Sequence, residues 1–395
     1  MRIGFLFNHD HVHQVAHSLP IAHALLACGG GHEIVAATGS ARLSGEVRRL
    51  SEGAGAALPI VQLDLRRRFT RACARRLEPV LPVTKLGIYR DNLDFFRTLD
   101  ALVVSEKTSL LLRTRYGLKG LTLIHTRHGA GDRAIGFDAR SAGFDHVLVS
   151  GPKIRDRLVR ESGVPADRLS VVGYPKFDLH PPTAARLPFA NPGRPTVLYN
   201  PHVSPHLSSW YRHGRAVLEH FLADDRYNLI FAPHCMLFHR RFVLTIDRLR
   251  LERPGSIARR ILSAPNIHVD PGSRALTDMR YTNAADIYLG DASSQVYEYL
   301  ARPRPCLFLN SHGAEWRGDP SYAHWRAGEV IGHPSQLGPA LDRAIERHGR
   351  YCDEQRALFR ESIALTAEPS SRRAARAVLA TLGVGRAVPP LGLAA

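Results

Sequence analysis

Short, largely uncharged apolar runs alternate with helical stretches along most of this chain, and the alternation is interrupted once, by a proline-rich stretch. A strand that reads as a continuous apolar run is buried on both faces, and strands separated by helices pair in parallel. The pattern therefore predicts an α/β protein with doubly wound parallel sheets. The first series of runs is Arg2–Phe7, His32–Thr38, Ile60–Leu63, Ala101–Val104, Leu121–Ile124 and His146–Val149. After the stretch Pro181-Pro182 to Pro195 a second series follows, with Thr196–Tyr199, Asn228–Phe231, Ile267–Val269, Asp286–Leu289 and Pro305–Leu309. The apolar spacing from Leu19 to Ala27 suits a helix ended by Gly29-Gly30-Gly31. Residues 353–382 read as helical. The expected division is a Rossmann-like domain over 1–185, a second over 186–382 and a flexible tail over 383–395, and 395 residues suit two domains.

Composition narrows the partners. The chain carries 53 Lys+Arg against 36 Asp+Glu, a net +17, which ordinarily points to nucleic acid, anionic lipid or a phosphorylated substrate. Lysine occurs only at Lys85, Lys107, Lys119, Lys153 and Lys176, so the excess is arginine, a skew that codon usage also produces. No zinc-finger or RNP-like signature is present and aromatics are 8%, so nucleic acid is not the expected partner. Five scattered cysteines without C-x-x-C spacing suit a reducing compartment. The first apolar run is too short for a signal peptide, and no uncharged run approaches the roughly 18–20 residues that span a bilayer. The expectation is a cytoplasmic protein whose membrane contact is limited to its surface. Arg66, Arg67, Arg68, Arg71, Arg75 and Arg76, set among Leu63, Leu65, Phe69 and Leu77, fit a basic amphipathic helix on anionic lipid and fit a solvated helix face equally well.

In open α/β sheets ligands sit at the carboxyl ends of the strands, so the residues just after each run are the ones to examine. After Leu121–Ile124 comes His125-Thr126-Arg127-His128-Gly129-Ala130-Gly131-Asp132-Arg133-Ala134-Ile135-Gly136. It is neither a dinucleotide fingerprint nor a P-loop. It sets an imidazole beside flexible backbone, with a carboxylate and a guanidinium close behind. His128 could take a proton from an attacking hydroxyl and Asp132 could orient it; the plainer reading is a loop turned by its glycines. After Asp286–Leu289 come Asp291, Ser293 and Ser294 and then Glu298, where a helix N-terminus with hydroxyls would suit a diphosphate, and Glu298 would reach a ribose or polyol. Plain helix capping explains the same residues. His234, after Ile230–Phe231, suits a phosphate oxygen or a structural bond. Val171-Val172-Gly173-Tyr174-Pro175-Lys176-Phe177-Asp178 reads as a strand end and a turn. His9, His11, His13 and His17 follow the first run; no carboxylate or cysteine is spaced to complete a metal site with them, no D-x-D occurs, and no metal is expected.

These segments, in this order, resemble the CDP-glycerol glycerophosphotransferase family of teichoic acid and capsule polymerases. The family's H-G-x-x-x-K-x-x-G element is matched by His128-Gly129 through Gly136, with Arg133 in place of the lysine. Its G-Y-P-x-x-D element is matched by Gly173, Tyr174, Pro175 and Asp178. Its Y-x-P-T and R-x-H-P elements are approximated by Tyr199-Asn200-Pro201-His202 and Ala232-Pro233-His234-Cys235. Its D-Y-S-S element, with a following acidic residue and R-P, is similar to Asp291-Ala292-Ser293-Ser294, Glu298 and Arg302-Pro303 or Arg304-Pro305.

The resemblance implies a GT-B fold, two Rossmann-like domains facing a cleft, with acceptor bound by the first and nucleotide donor by the second, and no metal or resident cofactor. It implies His128 as base on the acceptor hydroxyl, His234, Ser293 and Ser294 at the donor diphosphate, and Glu298 near the donor's sugar or polyol. With the readings above, the expected site is His128 and Asp132 for catalysis, and Gly129, Arg133, His234, Asp291, Ser293, Ser294 and Glu298 for the donor. The implied activity is transfer of a glycerol-phosphate, polyol-phosphate or sugar unit from a nucleotide-activated donor such as CDP-glycerol to a polymer or lipid-linked hydroxyl acceptor. Ala292 replaces the family's tyrosine, and a Ser-Gly-Gly…Glu element serves UDP-GlcNAc 2-epimerases and related UDP-sugar glycosyltransferases on the same fold, so those are the alternative. A basic polyanion-binding module is the alternative without catalysis.

Overall fold

The computed structural model describes residues 1–9, 12–55, 57–77, 83–127, 129–180, 187, 189, 191–239, 241–245 and 250–384. By their contacts they form two units. The first comprises residues 1–130, 137–181 and the chain from 361 onward; the second comprises 131–136 and 182–360.

The first unit is built on a parallel sheet of β1 (Arg2–Phe7), β2 (Glu33–Thr38), β3 (Ile60–Gln62), β4 (Ala101–Val104), β5 (Thr122–Thr126), β6 (His146–Val149) and β7 (Leu169–Val171). Its order is β3-β2-β1-β4-β5-β6-β7. Alternation along each strand feeds two separate cores. Ile3, Phe5, Phe7, Ala101 and Val103 join Leu19 and Leu25 of the helix Val15–Cys28 on one face, while Leu6, Leu102 and Val104 join Tyr89, Phe96 and Leu158 on the other. Each fully buried Val, Leu, Ile or Phe among them contributes about 1.5–3 kcal/mol, which is why the strands carry almost no charge.

The helical stretch expected over 353–382 is two helices, Cys352–Ser362 and Ser370–Thr381. The first ends at Ser362, residues 363–368 are not helical, and Pro369 stands at the N-cap of the second. Ala374, Ala375, Ala377 and Val378 of the second share a core with Val15, Leu19 and Ile21. The residues from 361 on therefore belong with the first unit, not with the C-terminal domain expected over 186–382. The tail expected over 383–395 falls, from 385, outside the described residues.

The second unit has, in chain order, β8 (Thr196–Asn200), β9 (Asn228–Phe231), a short antiparallel pair of β10 (Val243–Thr245) and β11 (Arg250–Glu252), then β12 (Ile267–Val269), β13 (Ile287–Gly290), β14 (Cys306–Leu309) and β15 (Glu329–Ile331). All but the antiparallel pair form one parallel sheet in the order β12-β9-β8-β13-β14-β15. The order reverses between β1 and β4 in one sheet and between β8 and β13 in the other, and these are the points where such sheets open toward a ligand.

The Gly-Tyr-Pro element is a fastening within the first unit. Gly173 has φ +86°, and a Cβ there would run into Ser370 Oγ and the carbonyl of Ala364. The Ser370 hydroxyl accepts from the Tyr174 amide at 3.0 Å. Asp178 accepts from the amides of Ser370 at 3.3 Å and Ser371 at 2.6 Å, capping from a distance a helix whose own N-cap, Pro369, has no acceptor in its side chain. Replacing Asp178 with Ala should lower unfolding stability by about 1 kcal/mol, and Asp178→Asn should retain most of it; urea unfolding monitored by circular dichroism reads both.

Candidate functional site

The centre of the second unit's site is a buried carboxylate. Asp291 follows β13 and is 1% exposed. Its oxygens accept from the His202 amide at 2.9 Å, the Ser209 amide at 2.6 Å, the Ser209 hydroxyl at 2.8 Å and the amide of Ala292 at 2.6 Å. Burial pushes this carboxyl above its ordinary range, and the donors from Ser209, His202 and Ala292 pull it back. Asp291 thus ties the loop after β8 to the loop after β13. Its backbone carbonyl accepts from the indole N–H of Trp325 at 2.7 Å and from Nε2 of His324 at 2.8 Å.

The loop after β5 supplies residues 131–136 to this unit, and three consecutive positions attach there. A Cβ on Gly131 would stand 2.8 Å from Cβ of Ser294, so the position admits only glycine without displacement. Asp132 is 2% exposed; it accepts a hydrogen bond from the Tyr297 hydroxyl and lies 3.2 Å from Nδ1 of His324. Nε2 of His324 donates to the Asp291 carbonyl while Nδ1 faces the Asp132 carboxylate, so the ring links the two loops. Arg133 places Nη1 2.8 Å from Nε2 of His202.

His202 is the most informative residue. It is 4% exposed, and each of its ring nitrogens is approached by an N–H donor, the Ser204 amide at Nδ1 (2.9 Å) and Arg133 at Nε2. A neutral imidazole has one acceptor nitrogen, so the N–H groups at this point outnumber the acceptors the ring offers. Burial holds the ring well below the usual histidine range, with the Arg133 charge and His234 acting in the same sense. The His234 ring lies 5.6 Å away, and its Nδ1 accepts from the Met236 amide at 3.3 Å, which puts its proton on Nε2. Arg133, His202 and His234 together form a donor-rich, cationic corner at the carboxyl ends of β8 and β9. Such a corner suits the oxygens of a phosphate or diphosphate.

Other expected residues sit differently. The helix carrying Glu298 is the single turn Val296–Tyr299, with Gln295 at its N-cap, so Ser293 and Ser294 do not cap it. One turn has too few aligned peptides for a strong N-terminal dipole. Ser293 is buried and accepts weakly from the Gln295 amide at 3.4 Å; Ser294 is exposed against Gly131; Glu298 is 4% exposed. The Arg-Pro element is a staple: Arg304 donates to the carbonyls of Thr282 at 2.8 Å and Tyr299 at 2.7 Å and stacks on the Tyr299 ring at 3.8 Å. Gly129 has φ +111°. His128 lies outside the described residues.

In the first unit His9, after β1, bonds to the Ser105 hydroxyl after β4 at 2.8 Å, at that sheet's reversal point. His17 packs edge-on against Tyr174, and His11 lies outside the described residues. Among the described residues no three His, Cys, Asp or Glu side chains converge as a metal site. None of their helices is long and apolar enough to cross a membrane.

Sequence reasoning did not assign roles to His202, Tyr297, His324 or Trp325. His202 follows β8 directly, so the strand-end rule points to it; nothing local marks the other three.

Replacing Asp291 with Ala would leave three buried amides and a hydroxyl without their acceptor, and should cost about 3–5 kcal/mol of unfolding stability. Asp291→Asn, which keeps one acceptor oxygen, should fall between; chemical denaturation curves of the two variants check this.

No protein-family model matches the chain, and no curated protein matches it in sequence. Solved structures do match in fold. A UDP-GlcNAc 2-epimerase from Neisseria meningitidis bound to UDP-GlcNAc aligns with TM-score 0.60 at 12% identity, covering 97% of this chain and 99% of that one. S. aureus MnaA with UDP aligns with TM-score 0.60 at 14% identity over 98% and 99%. The wall teichoic acid polymerase TagF aligns with TM-score 0.58 at 11% identity over 97% and 89%. With two parallel-sheet α/β units and these neighbours, the chain has the GT-B fold.

Proposed function

We propose that this protein is a GT-B transferase of the CDP-glycerol glycerophosphotransferase kind, moving a glycerol-phosphate, polyol-phosphate or sugar unit from a nucleotide-activated donor to a hydroxyl acceptor in cell-surface polymer synthesis. The observation that carries the reading is the convergence of Arg133 on the His202 ring, with the His234 ring beside it, at the ends of β8 and β9. A donor diphosphate bound there accepts N–H groups of this corner, and its negative charge lies against the guanidinium. As the acceptor oxygen attacks and the nucleotide departs, charge grows on the leaving phosphate, where these groups stabilise it most. This is the work a divalent cation does in other transferases, and the proposal assigns it to side chains, with no resident cofactor.

His128 is assigned as the base on the acceptor hydroxyl by resemblance to the family's first element, and Asp132 as its partner on the ground of their nearness in the same loop. Ser293, Ser294 and Glu298 are assigned to the donor on the same ground. Structures in complex with UDP-GlcNAc and with UDP are among the fold neighbours, which supports a nucleotide-linked donor without choosing its base.

Incubating the protein with CDP-glycerol, CMP-sugars and UDP-GlcNAc, each with and without a glycerol-phosphate primer, should release a nucleotide from one donor in a primer-dependent manner. Conversion of UDP-GlcNAc without release would replace this reading with a 2-epimerase. Arg133→Ala should weaken donor binding roughly 10- to 100-fold, the loss of a charge-assisted hydrogen bond, and calorimetric titration measures it.

Donor binding should also depend on pH. In the free protein burial and Arg133 keep His202 neutral. A bound diphosphate favours the imidazolium, so affinity rises as pH falls through and below the ordinary histidine range, by up to about tenfold per unit where the complex takes up the proton. The diphosphate of such a donor is a diester and does not titrate there. His202→Gln should flatten the profile, and an unchanged slope would remove His202 from the site.

A further inference from the structure

The turn that follows β14 in the second unit opens a pocket with a volume of about 390 Å³, lined by Asn310, Ala314, Glu315, Trp316 and Arg317. The turn is held stiff by its own first residue. The Asn310 side chain donates to the Ala314 carbonyl at 3.0 Å and accepts from the Ala314 amide at 2.8 Å. Two further bonds fasten it to the segment after β8: Arg212 donates to the Ser311 carbonyl at 2.9 Å, and Nε2 of His312 donates to the Ser208 carbonyl at 3.0 Å. Beyond the pocket the Asp319 amide donates to the Trp316 carbonyl at 3.2 Å, which turns the chain back.

Trp316 is half-buried, and its ring meets that of Trp325 edge-on at 5.9 Å. The Arg317 guanidinium lies 4.8 Å from the centre of the Trp316 ring. Glu315 and Arg317 are exposed, and neither makes an ion pair among the described residues. The pocket therefore offers a carboxylate, a guanidinium and an indole on a fixed turn, with no net charge. β14 lies two strands from β8 in the sheet, so at about 4.8 Å per step the pocket stands about 10 Å from the strand end that carries His202.

A neutral lining does not select a phosphate, and the Glu315 carboxylate repels one. A sugar ring uses all three groups. Each hydroxyl both donates and accepts, so neighbouring hydroxyls meet a carboxylate and a guanidinium together, while the C–H groups of one ring face rest on an indole. An open-chain glycerol unit has no such face. We propose that the pocket of Glu315, Trp316 and Arg317 seats the ring of a neutral sugar. The binding itself stands on the second unit alone; that the sugar belongs to a transferred unit or to an acceptor rests on the function proposed above.

Saturation-transfer difference NMR of the full-length protein with the methyl glycosides of glucose, galactose and N-acetylglucosamine should show transfer to the ring protons of at least one, and none to glycerol 3-phosphate. Trp316→Ala should weaken that binding roughly tenfold, and Trp316→Phe should retain most of it. Glu315→Gln and Arg317→Met, both at exposed positions, should each weaken it roughly tenfold. No transfer to any glycoside, undiminished binding in Trp316→Ala, or Trp316-dependent binding of cytidine or uridine in place of a glycoside would each overturn the proposal. Kinetics then locate the sugar: Trp316→Ala raises KM for a nucleotide-sugar if the ring is the donor's, and KM for a glycoside acceptor if it is the acceptor's. Glycoside binding with no nucleotide release from any donor would remove the transferase reading and keep the sugar site. Nucleotide release from CDP-glycerol with no glycoside binding would do the reverse.

Discussion

The buried carboxylate of Asp291 is the constraint around which the second unit's site is arranged. A charge so far from water is tolerated only when its lone pairs are met by donors, and here those donors are backbone amides of two different loops. The requirement fixes the backbone on both sides of the β8–β13 reversal point. It also closes a circuit: Asp291 holds the His202 amide, the His202 ring meets Arg133, Arg133 follows Asp132 in the chain, Asp132 faces His324, and His324 donates to the Asp291 carbonyl. Each link depends on the next, so the phosphate-facing groups are preorganised by a network whose centre binds no ligand.

Much of the fold is legible in the sequence because the strands are buried on both faces. Ala101–Val104, His146–Val149, Asn228–Phe231 and Ile267–Val269 occur as strands within the same limits as their apolar runs. The strands that are harder to read, Leu169–Val171 and Glu329–Ile331, are three residues long and lie at sheet edges, where one side needs no apolar run. The start of the last helix at Pro369 is local and readable, but its partner is chosen by packing against Val15–Cys28, far away in the chain.

The site divides in the same way. Strand ends and the order of motifs lead to the loop of Asp132 and Arg133, to His234 and to the Asp291 segment. Distance in sequence hides the rest, since His324 and Asp132 are 192 positions apart. A one-turn helix also stands where Ser293 and Ser294 read as the start of a longer one. The arginine excess resolves into several uses. Arg304 and Arg157 are internal fasteners, the latter 3.9 Å over Phe137 and bonded to Glu161. Many others sit in exposed ion pairs that contribute little.

The helix Ser370–Thr381 is among the last described elements of the chain, yet it completes the core begun by Val15–Cys28. During synthesis the opening β-strands leave the ribosome long before that helix exists. The helix Val15–Cys28 covers one side of their sheet, but its own apolar partners Ala374, Ala375, Ala377 and Val378 are missing while the whole second unit is made. The second unit, needing only Gly131–Gly136 and the stretch to Arg360, can finish first. The half of the protein that is translated first is thus the half that matures last, and the uncovered apolar side of Val15–Cys28 is what a chaperone would meet on the nascent chain.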